Sequence, residues 1–166
     1  MAIAYIGLGS NLGDRFAYLQ TALQKLKKLP HTTVVGVSRI YETPPLGVRH
    51  QPAFLNAVAK LQTTLTPTDL LEHLKAIERQ LGRPEHYARW SARVIDLDIL
   101  LYDDLVMQLT HLTIPHPELT RRKFAMQPLL DLADPIHPLL KQPISNLLEH
   151  TEDTSTVAAL HQMLQL

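Results

Sequence analysis

The order of helical and strand-like periodicities along the chain is the feature that most constrains its fold. Strand-like runs of apolar and β-branched residues cover residues 2–8, 33–41, 54–64 and 94–102. Between these runs, apolar residues recur every three or four positions over residues 15–29 and 67–81, as they do on one face of a helix. The resulting order, β-α-β-β-α-β, predicts an α+β fold of the ferredoxin-like class, in which helices pack on an antiparallel sheet.

Capping residues set the limits of both predicted helices. Asp14 is suited to cap the first helix, because its carboxylate can accept a hydrogen bond from a free backbone N–H of the first turn. Thr66-Pro67 opens the second helix, with proline where its missing N–H costs no hydrogen bond. Gly82 is suited to end this helix.

The rest of the chain is expected to extend this core. A length of 166 residues fits one domain, and the sequence shows no internal repeat. A short extra strand is predicted at residues 105–107, and short helices are predicted at residues 121–126 and 144–150 in a proline-rich region. We therefore predict a single domain over residues 1–166, with a core of about residues 2–130 and a C-terminal helical extension to the last residue.

The composition of the chain argues against several functional classes of protein. The 16 Lys and Arg residues balance the 16 Asp and Glu residues, whereas a protein that binds nucleic acid non-specifically usually carries a basic excess. The absence of cysteine excludes disulfides, thiolate zinc sites and a cysteine nucleophile. The first residues lack the basic and apolar regions of a signal peptide, and no apolar run approaches the roughly 18 residues of a membrane span. We expect a cytoplasmic monomer with neither nucleic acid nor membrane as a partner.

Two aspartates stand out within the last strand of the pattern. Asp96 and Asp98 are two positions apart, so their side chains share one face of a strand while Leu97 and Ile99 face the core. Like charges at this spacing repel, and aspartate is uncommon in strands. A pair of hard carboxylates suits Mg²⁺ ions that are shared with phosphate oxygens. The alternative is an edge strand whose outer face is simply acidic.

Two long polar connections, residues 42–53 and 83–93, are candidates for functional loops. The second contains three arginines, Arg83 and Arg93 among them, around Trp90, the only tryptophan of the chain. Each arginine taken singly is more simply interpreted as part of a basic surface loop. Three together, directly before the two aspartates, favour a phosphate-binding loop.

Other motifs are weaker. The glycines at positions 7, 9 and 13 follow a strand and precede a helix, but their spacing departs from the dinucleotide-binding fingerprint, and the chain has no P-loop motif. His116 and Arg122, beyond the last strand, are placed to reach a phosphate. For His116, a solvated histidine in a proline-rich loop is an equal alternative.

Taken together, these residues resemble the 6-hydroxymethyl-7,8-dihydropterin pyrophosphokinase family over a region from Tyr5 to about Leu130. The motifs that carry the resemblance follow the family's order. They are Gly9-Ser10-Asn11-Leu12, Tyr41-x-Thr43-Pro44-Pro45-Leu46-Gly47, Gln51-Pro52-x-Phe54-Leu55-Asn56-Ala57, Arg89-Trp90-x-x-Arg93-x-x-Asp96-Leu97-Asp98-Ile99-Leu100, Pro115-His116 and Arg121-Arg122-x-Phe124. The block that runs from the Arg-Trp pair to the two aspartates is highly specific to that family.

The resemblance implies an enzyme of tetrahydrofolate biosynthesis. Such an enzyme transfers pyrophosphate from ATP to the hydroxymethyl oxygen of 6-hydroxymethyl-7,8-dihydropterin and releases AMP. Two Mg²⁺ ions on the triphosphate are implied, with Asp96 and Asp98 as their ligands. Arg83 and Arg93 are the implied catalytic residues, since they would neutralise charge on the transferred group.

The implied contacts divide between the two substrates. The implied ATP-binding residues are Glu78, Arg83, Trp90, Arg93, Ile99, His116 and Arg122. The implied pterin-binding residues are Thr43, Pro44, Leu46, Phe54, Asn56, Trp90 and Phe124. In this arrangement the two phenylalanine rings stack on the faces of the pterin, Asn56 reads its polar edge, and Trp90 closes over the site.

Four positions depart from the family pattern. Ser91 stands where the family normally has Gly or Ala. Lys75 and Glu85 stand where other members often have Gln and a basic residue, and Pro117 replaces an aromatic residue of some relatives. No role is implied at these positions, and no residue is identified as the general base for the pterin hydroxyl.

Two binding modules share the predicted order of elements and remain as alternatives. An RNA-recognition domain needs aromatic residues at set strand positions and a basic face. Tyr5 and Phe54 are present, but the K/R-G-F/Y run is missing and the net charge is zero. A small-molecule regulatory domain would leave Asp96 and Asp98 unexplained. Formation of AMP that depends on the pterin would separate the enzyme from both modules.

Overall fold

The computed structural model describes residues 1–43, 53–82 and 94–166. The strands, in chain order, are β1 (Ala2–Ser10), β2 (Thr32–Val37), β3 (Tyr41–Thr43), β4 (Phe54–Thr63), β5 (Asp96–Tyr102), β6 (Met107–Leu109), β7 (Leu112–Ile114) and β8 (Ala158–Ala159). The helices are α1 (Arg15–Leu26), α2 (Pro67–Gln80), α3 (Lys123–Leu130) and α4 (Ile144–Glu149), with a 3₁₀ turn at Leu119–Arg121. Within these described ranges, no helix has the length and apolar character needed to cross a bilayer.

Six of the described strands form one antiparallel sheet whose order matches the predicted core. The order across the sheet is β5-β1-β4-β3-β8, and β2 pairs with a further part of β4. β1 and β4 lie at the centre and pair along their whole common length, from Ala2↔Thr63 to Ser10↔Leu55. The predicted α+β fold of ferredoxin-like class is confirmed.

Helices cover both faces of the sheet and divide the core into two layers. On one face, α1 and α2 bury leucines such as Leu19, Leu23 and Leu74, none of which is exposed. On the other face, α3 and α4 pack Met126 and Leu129 against the sheet. Because successive side chains of a strand point to opposite faces, each central strand supplies both layers in turn. The candidate site lies on the face covered by α3.

Both predicted helices begin at their capping residues. Asp14 Oδ1 accepts the N–H of Ala17 at 3.0 Å, and Thr66 Oγ1 accepts the N–H of Asp69 at 3.2 Å. These bonds satisfy donors that a first helical turn leaves free. Gly82, with φ of +97°, follows α2 in the left-handed conformation that glycine adopts without strain.

The single strand predicted over residues 33–41 is wrong, because the chain forms two strands, β2 and β3, with an interruption between them. At the interruption, the Ser38 hydroxyl accepts the N–H of Val58 at 2.8 Å. The next N–H, that of Arg39, leaves the sheet and donates to the Asp131 carboxylate at 3.0 Å. Side-chain oxygens therefore replace part of the backbone ladder at this point.

Several predicted limits also differ. α1 ends at Leu26 instead of residue 29, because the last residues tighten into turns with i to i−3 hydrogen bonds. β5 begins at Asp96, two residues later than predicted. The extra strand expected at residues 105–107 lies at residues 107–109 and pairs with β7 in a separate hairpin. The helix expected at residues 121–126 is a 3₁₀ turn followed by α3.

The predicted C-terminal helical extension is helical only as far as Glu149 and is wrong beyond it. The last part of the chain pairs β8 with the edge strand β3, and Leu164 is buried in the layer of α1. The carbonyl oxygen of Gln165 accepts a hydrogen bond from Gln20 of α1 at 2.8 Å. An edge strand offers free backbone donors and acceptors, so an extended tail satisfies more of them here than a helix would.

The buried His137 makes the stability of the folded protein depend on pH. Its ring is buried, and Nδ1 accepts the N–H groups of Leu139 and Leu140 at 3.2 and 3.1 Å, which requires an unprotonated nitrogen. Burial lowers the pKa of His137 below 6.5. As the pH falls, the histidine is therefore protonated more readily in the unfolded chain than in the folded chain, which favours unfolding. We expect the free energy of unfolding to decrease between about pH 7 and about pH 5, and to decrease less in His137→Asn.

Urea unfolding at both pH values measures this difference. Asparagine keeps an acceptor at the position but does not titrate. His161→Asn, at an exposed position, is the matched control and should keep the wild-type dependence. An unchanged dependence in His137→Asn would contradict the assignment.

Candidate active site

One row of residues crosses the sheet on the face covered by α3. Gly9 of β1 pairs with Asn56 of β4 on one side and with Asp96 of β5 on the other, and Asn56 pairs in turn with Tyr41 of β3. Directly paired residues of neighbouring strands share a face. Since neighbouring strands lie about 4.8 Å apart, the backbones of Asn56 and Asp96 are separated by roughly 10 Å, with only a glycine between them.

Gly9 leaves the centre of this row open. A Cβ atom on Gly9 would lie 3.0 Å from Asn56 Oδ1 and 3.7 Å from a ring carbon of Phe54. The missing side chain therefore lets the amide and the ring lie against the backbone of β1. This role was not predicted from the sequence, in which the glycines only partly resemble a nucleotide-binding fingerprint. Their alternation along a strand, at the spacing of the two aspartates, was the available signal.

A polar wall forms where β3 and β4 end. Asn56 Nδ2 donates to Thr43 Oγ1 at 2.9 Å, and both side chains are buried. This bond orients the amide so that Oδ1 faces Gly9. Phe54 pairs with Thr43 and precedes Asn56 by two residues, so it lies on the same face. The structure thus brings together Thr43, Phe54 and Asn56 from the predicted pterin-binding set.

The two aspartates project on this face as the alternation predicts, while Leu97 between them is buried in the opposite layer. Burial, together with the neighbouring charges of Asp96 and Glu78, raises the pKa of Asp98 to about 7. The two carboxylates therefore carry an electrostatic cost that a divalent cation would relieve.

The donor set fits Mg²⁺. Among the residues described, no group of three His, Asp or Glu side chains converges as a complete protein metal site. Mg²⁺ is usually bound by one or two carboxylates and completes its shell with substrate phosphate oxygens and water. Asp96 and Asp98 provide that number of hard oxygen ligands on one face of a rigid strand.

His116 lies beside Asp98 as a neutral hydrogen-bond donor. Its Nε2 is 4.0 Å from Asp98 Oδ1, and its Nδ1 accepts the N–H of Glu118 at 3.1 Å. Burial, together with the charge of Arg122, lowers the pKa of His116 to about 4. Because Nδ1 is an acceptor, the ring proton is on Nε2. The side chain is 21% exposed, which argues against the alternative of a solvated histidine.

Arg122 connects the aromatic and carboxylate parts of this face. It directly precedes α3, and its guanidinium carbon lies 5.5 Å from the ring centroid of Phe124, a cation–π distance. Its positive charge also acts on both Asp98 and His116. The predicted ATP-binding residues His116 and Arg122 therefore converge on the aspartate pair.

A cleft of about 230 Å³ opens beside Asp98 and His116. Its other lining residues come from α2, from β5 and from the region of the β6–β7 hairpin: Leu71, Lys75, Ile99, Thr110, His111, Leu112, Thr113 and Pro117. Apolar patches at Leu71, Ile99 and Leu112, next to polar groups that include a carboxylate and an imidazole, suit a flat heterocycle with a charged end.

Glu78 supports the strand that carries the aspartates. The side chain is 3% exposed, its Oε2 accepts the N–H of Leu97 at 2.7 Å, and its Oε1 lies 3.4 Å from Lys75 Nζ. Leu97 separates the two aspartates, so this bond fixes β5 to α2 where the carboxylates project. The sequence did not predict this role, and the implied contact of Glu78 with the nucleoside stays a prediction.

Some predicted residues and segments fall outside the described residues. The site residues concerned are Pro44, Leu46, Arg83, Trp90 and Arg93. Their roles stay predictions, as do those of the two long connections and of the departures at Glu85 and Ser91.

Comparison with known proteins identifies relatives along most of the chain. A family model described as 7,8-dihydro-6-hydroxymethylpterin-pyrophosphokinase (HPPK) matches residues 5–134. The 2-amino-4-hydroxy-6-hydroxymethyldihydropteridine pyrophosphokinase of Aquifex aeolicus is 41% identical over 145 residues, which cover 87% of this chain and 89% of that protein. The folic acid synthesis protein fol1 of Schizosaccharomyces pombe is 44% identical over 148 residues, which cover 89% of this chain but only 20% of fol1.

Solved structures agree on the fold. Wild-type HPPK-DHPS of Plasmodium falciparum matches with a TM-score of 0.72 at 17% identity, covering 89% of this chain and 44% of that one. None of these relatives supports the RNA-binding or regulatory alternative. The chain belongs to the 7,8-dihydro-6-hydroxymethylpterin-pyrophosphokinase family, which confirms its predicted class of activity, a pyrophosphokinase of folate biosynthesis.

Proposed function

We propose that the protein binds ATP and 6-hydroxymethyl-7,8-dihydropterin side by side, with the pterin on the face of the sheet under α3 and ATP in the cleft beside β5. There the β,γ-pyrophosphoryl group of ATP passes to the hydroxymethyl oxygen, and AMP leaves. The observation that carries this proposal is the row Asn56–Gly9–Asp96. Asn56, in the wall suited to a heterocycle, lies two strand spacings from Asp96, one of the carboxylates suited to a polyphosphate. This distance is comparable with the long axis of a two-ring heterocycle.

The pterin lies over Gly9 in this proposal. The buried Asn56–Thr43 pair presents polar atoms to the edge of the ring system. Phe54 and Phe124 stack on its two faces, since a flat heterocycle binds best between aromatic rings with polar groups in its plane. Pro44, Leu46 and Trp90 complete the pterin site.

ATP occupies the neighbouring cleft in this proposal. The adenine ring lies between apolar walls that include Leu71, Ile99 and Leu112, and Glu78 contributes to nucleoside binding. The triphosphate extends toward Asp98, where Arg122 supplies positive charge. The Nε2–H of His116 donates a hydrogen bond to a phosphate oxygen and adds no charge, in agreement with the lowered pKa of its ring.

Asp96 and Asp98 hold two Mg²⁺ ions in this proposal. When bound, such ions neutralise charge on the triphosphate and orient it for in-line transfer. Arg83 and Arg93 add positive charge to the transferred group. Trp90 closes over the substrates and excludes water, which limits hydrolysis of ATP. No residue is assigned as the base that accepts the hydroxyl proton.

We further propose that the 166 residues act as one domain, as a monomer and in the cytoplasm. The described site residues come from one sheet and from the elements packed against it in a single chain, which supports a monomeric site. Light scattering of the pure protein measures its mass in solution. A dimer mass would contradict the monomer proposal.

A direct assay of the products tests the proposed activity. The protein is mixed with ATP, Mg²⁺ and 6-hydroxymethyl-7,8-dihydropterin, and nucleotides are separated by chromatography. We expect AMP and the pterin diphosphate in equal amounts, and no AMP when the pterin is left out. Release of ADP, or AMP formation independent of the pterin, would contradict the proposal.

Gly9→Ala is expected to weaken pterin binding and to leave ATP binding near wild type. The added Cβ atom would lie 3.0 Å from Asn56 Oδ1, so the amide that faces the pterin must move. Displacement of one fixed hydrogen-bonding group predicts a loss of about tenfold in pterin affinity. Titration calorimetry with each ligand measures the two affinities.

Gly7→Ala, on the same strand and face, is the matched control. A Cβ atom on Gly7 would meet the side chain of Leu100 at 3.4–3.6 Å, an ordinary packing distance. This variant should bind the pterin like the wild type. Equal losses in both variants would show that the effect comes from β1 in general.

A further inference from the structure

Arg15 bridges the strands that form the polar wall of the site. It is the first residue of α1, which Asp14 caps. Its Nη1 donates to Glu42 Oε2 at 2.9 Å and also to the carbonyl oxygen of Ala53 at 2.6 Å. Glu42 belongs to β3, and Ala53 directly precedes β4. One guanidinium nitrogen therefore joins two strands where their ladder ends.

The ladder at this end is short. β3 pairs with β4 through Tyr41, Glu42 and Thr43, and on its other side β8 pairs with Tyr41 and Glu42. Among the described residues, Thr43 and Phe54 form the last pair of this ladder, and the ends of strands fray most easily. Two charge-assisted hydrogen bonds from Arg15 add a constraint at this point.

Arg15 acts from the opposite face of the sheet. Tyr41 and Thr43 share the face of the candidate site, where the Tyr41 hydroxyl donates to Asp131 at 2.9 Å. Glu42 lies between them and therefore points to the face covered by α1. Its ion pair with Arg15 is partly buried, with side-chain exposures of 29% for Arg15 and 40% for Glu42. A bound pterin on the other face would not touch the guanidinium.

We propose that Arg15 is a positioning residue for the pterin: it holds the end of β3 against the start of β4 and so keeps Thr43, Phe54 and Asn56 in one arrangement. The inference rests on the proposed function, in which these three residues contact the pterin. A wall fixed before binding saves the cost of ordering it during binding. Loss of the bridge should therefore appear in the pterin affinity, with little effect on ATP.

Arg15→Met tests the proposal, since methionine keeps an apolar stem and removes the donors and the charge. The pterin is titrated by calorimetry into protein saturated with Mg²⁺ and a non-hydrolysable ATP analogue. We expect the pterin dissociation constant and KM to rise about fivefold to tenfold, with kcat and the affinity for the ATP analogue near wild type. Arg15→Lys should restore most of the affinity, because an ammonium group can donate to both acceptors.

Arg39→Met is the matched control. Arg39 is exposed, and its described bond to Asp131 comes from the backbone, which the substitution retains. This variant should bind the pterin like the wild type. The thermal midpoint of each variant is recorded as well, since partly exposed ion pairs contribute little to global stability.

The outcomes separate this inference from the function on which it rests. If Arg15→Met binds the pterin like the wild type while Asn56→Ala does not, the positioning role is overturned and the proposed function stands. If neither variant weakens pterin binding, the proposed wall is itself wrong. If Arg15→Met lowers ATP and pterin affinity equally, together with the thermal midpoint, Arg15 is only structural and the inference fails.

Discussion

Alanine at either Asp96 or Asp98 is expected to remove most of the turnover and to leave the fold intact. Each substitution takes one of two hard oxygen ligands from the charged centre of the proposed transfer. In enzymes generally, removal of one group that stabilises transition-state charge costs about a hundredfold or more in kcat. Metal-free stability should be unchanged or higher, because burial and the charge of Asp96 raise the pKa of Asp98 and so show that its ionised form is unfavourable in the fold.

Three measurements check this expectation. AMP formation gives kcat, calorimetry gives the Mg²⁺ dependence of ATP binding, and thermal unfolding without metal gives stability. Asp104→Ala, at an exposed position near the far end of β5, is the matched control and should behave like the wild type in all three. Near-normal turnover in both Asp96→Ala and Asp98→Ala would overturn the proposed metal site.

Truncation of Phe54 or Phe124 to alanine is expected to weaken pterin binding by more than tenfold and to leave ATP binding near wild type. Stacking contributes roughly 0.5–1.5 kcal/mol per ring beyond the burial of area, and lost apolar contact adds to it. Asn56→Ala should have a similar effect, because polar atoms of the pterin would lose a partner. Calorimetry with each substrate separately measures both affinities.

The third phenylalanine of the chain provides the control. Phe16 lies on α1 and packs into the layer on the opposite face of the sheet. Phe16→Ala should lower the stability of the protein and leave its pterin affinity unchanged. An ATP affinity that falls as much as the pterin affinity in Phe54→Ala and Phe124→Ala would show that the two substrate sites are wrongly assigned.

Local chemistry made much of the fold predictable from the sequence. The starts of α1 and α2 follow from single capping residues, Asp14 and Thr66, whose hydrogen bonds to the first turn are present in the structure. The alternation in β5 depends only on strand geometry, and it places Asp96 and Asp98 opposite the buried Leu97 as expected. Such features need no knowledge of the rest of the chain.

Features that depend on distant partners could not be predicted in the same way. The break between β2 and β3 is stabilised by Asp131, far along the chain, which accepts the N–H of Arg39 and the hydroxyl of Tyr41. The tail forms β8 instead of a helix because β3 offers it a free edge. Sequence periodicity contains no information on which segment will meet such an edge.

The candidate site shows the same division. Residue types and spacing indicated the aspartate pair, and the family resemblance indicated Thr43, Phe54 and Asn56. The support of β5 by Glu78 depends on a helix that meets the N–H of Leu97 in three dimensions. The neutral state of His116 depends on burial and on Arg122. Neither the hydrogen bond of Glu78 nor the neutral state of His116 can be predicted from neighbouring residues in the sequence.

The row through Asn56, Gly9 and Asp96 has a consequence for how this enzyme can change. In the proposed site, the distance between the pterin-binding Asn56 and the metal-binding Asp96 is set by hydrogen-bonded backbone, at two strand spacings. Substitution of side chains can alter the contacts with the ring at one end of the row or the charge at the other end. It cannot lengthen this distance, because a further strand would have to enter the sheet between β4 and β5. In the proposed site, the distance that the alcohol arm of the substrate must span is therefore set by the sheet and not by the side chains.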